Sequence, residues 1–317
     1  MKIISFEGIK NLGITPKDCL EWTREALERK ADAMLPPKIS LKPPHLSGSF
    51  YNVMPTIAPA LNIACVKLVT RLPHAEPALD GNLLLSDLAT NSVSALMDAT
   101  WITNARTGAV AAHSAALLGI PGFTRVGFIG LGNTARATLD CLRAAVPERH
   151  LEVTLLAYKG QEEGFQERFA AMPEVTFHVV DDVKELVAQS QVVFSCVTYT
   201  PEDFIDDDSA FAPGITLIPV HTRGFTQCDL TFDKVFCDDR GHLHNFKNYA
   251  AFEPRLTEVA EVVSGQKPGR TSDEERILVY NIGIALQDLV YAKHVYDAAK
   301  DLVPDVVYPR PQEKFWA

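Results

Sequence analysis

No stretch of the 317-residue chain approaches the roughly 20 uncharged apolar residues that a membrane-spanning helix needs, so a helical membrane protein is not expected. The opening MKIISFEGIKNLGI carries charges inside its apolar part and no small-residue cleavage site, and does not read as a secretory signal. No C-x-x-C pair occurs. The six cysteines (Cys19, Cys65, Cys141, Cys196, Cys228 and Cys237) are scattered, which points to reduced thiols in a cytosol and away from zinc or a disulfide framework. Positive charge is in deficit: 30 Lys and Arg against 40 Asp and Glu leave a formal net charge of -10. Without a basic stripe, nucleic acid is not an expected partner. Internal repeats and low-complexity tails are missing too. A cytoplasmic globular protein is the expectation.

What is there is a core and a change of pattern. Hydrophobic residues make up 47% of the chain, enough for two domains. In the first third, TPKDCLEWTREALERKADAML predicts a helix with Thr15 as cap and Pro16 at its first position. The proline-rich stretch from Met34 to Pro55 predicts edge strands and turns. NIACVKLVTRLP and GNLLLSDLATNSVSALMDA predict strands, the latter a hairpin around Ala89-Thr90-Asn91. TGAVAAHSAALLG predicts a helix ending at Gly119. From Arg125 strand and helix alternate, with strands expected at 125–129, 152–157, 175–180, 191–196, 215–220 and 234–238. The segment from Asp273 to Leu302 predicts one or two amphipathic helices. The fold class is therefore α/β: a doubly wound, mainly parallel Rossmann sheet with a second α+β domain.

One short segment carries chemistry. In RVGFIGLGNTARA, Gly130-Leu131-Gly132-Asn133-Thr134-Ala135 fits G-x-G-x-x-A between a strand and a helix. Gly130 permits the tight turn, Gly132 lets the backbone approach a pyrophosphate, and Ala135 lets the helix pack on its strand. Asn133 and Thr134 open the helix whose free N–H groups face the phosphates. The next strand should end in an acid for the ribose hydroxyls, but here it ends Ala157-Tyr158-Lys159. A lysine in place of the acid favours NADP(H) over NAD(H), although Lys159 also suits a solvated turn. Thr198, in SCVTYTP after the fourth strand of the alternating region, falls at the carboxyl end where nucleotides bind.

Together with Met54, Pro55 and Lys67, the segments MDATWITNARTGAVAA (97–112), VGFIGLGNTAR (126–136) and NIGIALQDLVYA (281–292) resemble the ornithine cyclodeaminase/mu-crystallin family. That family includes archaeal-type alanine dehydrogenases and cyclic-imine reductases. The resemblance implies a homodimer, a substrate-binding and dimerisation domain from 1–118 plus 286–317, and a dinucleotide-binding domain from 119–285. It also implies NAD(P)-dependent hydride transfer at the α-carbon of a small amino or imino acid.

Such chemistry needs a carboxylate clamp, a proton donor and exclusion of water. Arg106 is the best candidate for the clamp, because a guanidinium matches a carboxylate bidentately. Lys67 lies in the apolar run ACVKLVT, where it is either aimed into a cleft or snorkels at an edge; the matching family lysine contacts substrate. Lys38, in PPKISLK, stands where the family has an arginine, keeping the charge but losing the fork. Asp98 is expected to cap a turn or to hold Arg106. In LIPVHTRGFTQCDL the family places an aspartate after the strand, and His221 occupies that position here. With an unperturbed pKa near 6.5, His221 is a candidate proton donor to an imine, or a loop histidine bonded to backbone. Arg223 would supply the fork that Lys38 lacks, or pair with an acid. His242 and His244 lack a third ligand, so no metal is expected. Two alternatives remain: an ornithine cyclodeaminase that converts ornithine to proline and ammonia, and a catalytically inactive nucleotide-dependent binding protein.

Overall fold

The computed structural model describes residues 1–198, 200–220 and 224–309. By contact density the chain falls into two units. One comprises Met1–Ile14, Asp32–Thr103 and the chain from Asp288; the other comprises Thr15–Ala31 and Asn104–Gln287.

The first unit is built on β1 (Lys2–Ile4), β2 (Ile39–Leu41), β3 (Phe50–Ala58), β4 (Ile63–Arg71), β5 (Leu79–Asp87) and β6 (Ser92–Asp98), with helix α1 (Phe6–Lys10) after β1. The order across the sheet is β1-β6-β5-β4-β3-β2, antiparallel except where β1 lies parallel on β6. Its strands alternate as half-buried strands must. On β4 the residues Ile63, Cys65, Lys67 and Val69 are buried while Val66 is exposed.

In the second unit α2 (Pro16–Glu28) opens with a capping box: the Thr15 hydroxyl accepts from the Asp18 N–H, and the Asp18 carboxylate accepts from the Thr15 N–H. This helix falls in the second unit. Helix α3 (Thr100–Leu118) begins seven residues earlier than the predicted start at Thr107. The reason is Asp98, whose carboxylate accepts the N–H groups of Thr100 (2.8 Å) and Trp101 (3.2 Å) and so caps the helix. Arg106 therefore lies inside α3, and the chain passes from one unit to the other within this helix.

The alternating region follows as β7 (Arg125–Ile129), α4 (Asn133–Ala145), β8 (Leu151–Leu156), α5 (Gln161–Arg168), β9 (Val175–Val180), α6 (Val183–Gln189), β10 (Val192–Ser195) and β11 (Thr216–Pro219). Beyond it come α7 (Cys228–Thr231), β12 (Lys234–Cys237), α8 (Tyr249–Phe252), β13 (Leu256–Glu258), α9 (Val259–Val263), β14 (Ile277–Tyr280) and α10 (Ala285–Ala299). The sheet order is β13-β12-β14-β11-β10-β7-β8-β9, and every pairing is parallel. Strands β10, β11 and β14 are buried along their whole length, as helices on both faces of a parallel sheet require.

The sequence pattern misses β13 and reads β14 as helix. ILVY is a short apolar run with no polar residue to set a period, and it joins directly to a helical pattern. In the structure it is a strand between β12 and β11, and the helix starts only at Ala285. No helix among the described residues is long and apolar enough to cross a membrane.

Candidate active site

The chain runs β7, β8, β9 to one side of the sheet and returns to β10 on the other side of β7. Ligands bind at the carboxyl ends of strands where such an order reverses, and the glycine turn sits there. Gly130 has φ +82°, and a Cβ on it would lie 2.9 Å from the Val197 backbone nitrogen, just past β10. Only glycine fits. Gly132 has open space around its Cα and serves as the N-cap of α4 without any side-chain hydrogen bond. Among the described residues the first N–H groups of α4 thus have no side-chain acceptor, and their partial positive charge faces the turn. Ala135 is fully buried, Asn133 is exposed and Thr134 is half-buried. These residues fit a dinucleotide pyrophosphate. Thr198 is exposed, three residues past the end of β10, and Lys159 follows β8 with φ +54°.

Arg106 is 6% exposed and sits two residues before Gly108 on α3. A Cβ at Gly108 would lie 2.6 Å from the Thr138 nitrogen of α4, so the helix of Arg106 packs backbone to backbone on the helix of the glycine turn. The guanidinium occupies the space that Gly283 leaves open: a Cβ there would lie 2.9 Å from Arg106 Cζ. Behind it is Asp238, fully buried at the end of β12, accepting from the Gly283 N–H (2.6 Å) and the Asn281 amide (2.8 Å). Burial pushes the Asp238 carboxyl up, against those two bonds and the attraction of Arg106.

Lys67 does not snorkel. It lies on an inner strand with its side chain wholly buried, its ammonium 2.7 Å from the equally buried Asp288 carboxylate and 3.4 Å from the Thr103 hydroxyl. Burial, then the Asp288 charge, drives the neighbouring Cys65 thiol well above its ordinary value, so that thiol is inert. Thr103 and Arg106 are three residues apart on α3 and share one of its faces. Lys38 is half-buried beside the edge strand β2. Asp98 caps α3, as described above.

His221 and Arg223 lie outside the described residues. The described residues before and after them are well anchored. Gly224 takes φ +105°, its carbonyl accepts from the Phe204 N–H (2.8 Å), and the Asp203 carboxylate accepts from the Thr226 N–H (2.9 Å). Asp229, the nearest following acid, is turned into the core, where the Tyr280 hydroxyl donates to it at 2.6 Å. His242 Nδ1 donates to the Asp239 carboxylate (3.0 Å), and no cluster of three or more metal-ligating side chains occurs among the described residues.

Sequence reasoning did not single out Asp288, Asp238 or Gly283. A signal existed for the first: an acid flanked by apolar residues in IALQDLVYA must find a cation.

Residues 7–302 match the model of the ornithine cyclodeaminase/mu-crystallin family. The chain belongs to that family. Among its relatives is N-((2S)-2-amino-2-carboxyethyl)-L-glutamate dehydrogenase of Staphylococcus aureus, 30% identical over 69% of this chain and 68% of that protein. Another is Delta(1)-pyrroline-2-carboxylate reductase of Bacillus cereus, 24% identical over 94% of this chain and 97% of that one. Among solved structures, an archaeal alanine dehydrogenase dimer with bound NAD superposes with TM-score 0.84 at 22% identity, covering 97% of this chain and 99% of the other. This last likeness establishes the shared fold.

Proposed function

We propose that the protein is an NAD(P)-dependent oxidoreductase acting at the α-carbon of a small amino or imino acid. The observation that carries this reading is the open N-terminus of α4 behind the Gly130–Gly132 turn, placed where the strand order reverses. A bound nicotinamide dinucleotide would supply or accept the hydride. The relatives named above support the substrate class, since both names describe an α-amino or α-imino acid.

The chain's own residues bind and orient. Arg106, held against Gly283 with Asp238 behind it, offers a planar fork to the substrate carboxylate. Lys67, 2.7 Å from the Asp288 carboxylate, is the second cation, with Lys38 and Arg223 completing the clamp. In the reductive direction the α-carbon gains a hydride while the C=N π electrons move onto nitrogen. His221 donates the proton that nitrogen then takes, and water exclusion protects the step.

The missing acid at the end of β8 favours NADP(H) as the cofactor, and the burial of free cysteines fits a reducing cytoplasm. A homodimer fits an apolar row across the outer face of the first sheet. Ile3, Leu96, Leu84, Val66 and Pro55 are cross-strand neighbours, and Ile3 (49%), Leu84 (42%) and Val66 (42%) are exposed. Leu84→Glu should then shift sedimentation from dimer to monomer.

The deciding assay supplies NADPH or NADH with cyclic imines, or with keto acids plus amines, and follows nucleotide absorbance and amine product together. Stoichiometric oxidation of nucleotide is expected, and His221→Ala should lower kcat at least about 100-fold. Proline and ammonia from ornithine without net absorbance change would replace this reading with cyclodeamination. Nucleotide binding without turnover of any substrate would replace it with a binding protein.

A further inference from the structure

The end of β8 carries more than a missing acid. Lys159 and Gly160 both take positive φ (54° and 74°), and the Gln161 N–H returns to the Tyr158 carbonyl at 3.1 Å. This tight turn lays the Lys159 ammonium 4.9 Å from the centroid of its neighbour's ring, Tyr158. The first acid beyond, Glu162, accepts the Tyr158 N–H at 3.0 Å and so spends one carboxylate oxygen on closing the turn.

A second cation approaches from the glycine-turn helix. Arg136 stands in the first turn of α4, and its Nη2 would be 3.7 Å from a Cβ on Gly164 of α5. The guanidinium thus lies against the helix that the Lys159 turn introduces. Its Nε is buried without a hydrogen-bond partner. Neither the half-buried Arg136 nor the exposed Lys159 has a carboxylate within ion-pair distance among the described residues, whereas other half-buried cations of this unit are tied down. Lys30, for example, sits 2.9 Å from Asp239 and 2.6 Å from Glu258. A half-buried guanidinium with a desolvated, unmatched N–H is costly unless an anion completes it.

We propose that Arg136 and Lys159 form the binding site for the 2′-phosphate of the adenosine ribose, and that NADP(H) is selected there. The proposal rests on the dinucleotide reading above and deepens it by naming the group that discriminates between the two cofactors. A phosphate monoester carries close to two charges and three acceptor oxygens. Arg136 suits it as a planar fork and Lys159 as a point charge. An NAD site in the same place would want a carboxylate facing the ribose hydroxyls, and β8 ends without one.

The test is equilibrium titration of the full chain with NADPH, NADH, adenosine 2′,5′-bisphosphate and inorganic phosphate, without substrate. NADPH should bind at least about tenfold tighter than NADH, and the bisphosphate far tighter than free phosphate. Arg136→Gln should erase at least about tenfold of NADPH affinity while leaving NADH affinity within about twofold, which also certifies that the variant is folded. Lys159→Gln, a change at an exposed turn, should give a smaller loss of the same kind. NADH binding as tightly as NADPH, or an equal loss for both nucleotides in Arg136→Gln, overturns the proposal and leaves the oxidoreductase reading standing. Binding of neither dinucleotide overturns both.

Discussion

The two sheets of this chain handle charge in opposite ways. In the six-stranded sheet Lys67 points into the interior and is neutralised on the spot by Asp288. In the eight-stranded sheet the positive end of α4 starts at Gly132, which offers no side-chain hydrogen bond to its first N–H groups. A mixed sheet sends alternate side chains inward, so a functional cation on β4 must be accompanied by its own acid. A parallel sheet delivers backbone to its carboxyl edge, and there the useful charge is a dipole that needs no counter-ion until a ligand arrives. One site is held by side chains, the other by main chain.

Breaking the first arrangement should have the largest effect. Lys67→Met removes the ammonium that faces the buried Asp288 carboxylate, which should cost about 3–5 kcal/mol in denaturant unfolding. The double variant Lys67→Met with Asp288→Leu should recover most of that stability and none of the turnover. Recovery of turnover in the double variant would mean that the cation serves only the fold. The second arrangement should break at Gly130. Alanine there meets the Val197 backbone and adopts a positive φ, so Gly130→Ala should lose about 1–3 kcal/mol of stability and at least about tenfold in dinucleotide affinity. Lys67→Met should leave dinucleotide affinity nearly unchanged, a contrast that calorimetry would read directly.

The smallest effect concerns pH. Burial pushes the Asp229 carboxyl up to about 6, against the bonds from Tyr280 and Asn248. An acid raised above its unfolded value favours the folded state fully below about pH 4. That contribution is lost as pH rises through 6. Asp229→Asn should therefore flatten the stability difference between pH 4 and pH 7 by on the order of 2 kcal/mol in denaturant titrations. An unchanged slope would place the titration elsewhere.

The same contrast explains what was legible in the sequence. The glycine turn is local: strand, turn and helix lie within 125–145, and each residue's reason is visible from its neighbours. The hairpin β5–β6 and the capped helix α2 were legible for the same cause. Lys67 was visible as an oddity, but its partner Asp288 comes from the far end of the chain and no spacing rule joins them. The start of α3 was hidden because its first turns carry polar residues such as Asn104 and Arg106, whose burial depends on tertiary packing. Strand β14 was hidden because four consecutive buried residues have no period, and only the sheet order reveals them as a strand.

The bare Cα of Gly283 has a consequence for how this chain can vary. Its φ of +79° alone would still admit an asparagine, but the volume beside it is already taken by the Arg106 guanidinium. Even a methyl group there would displace that guanidinium before it disturbed the turn. A substitution far along the sequence would thus imitate damage to helix α3, and position 283 can change only if residue 106 becomes smaller with it.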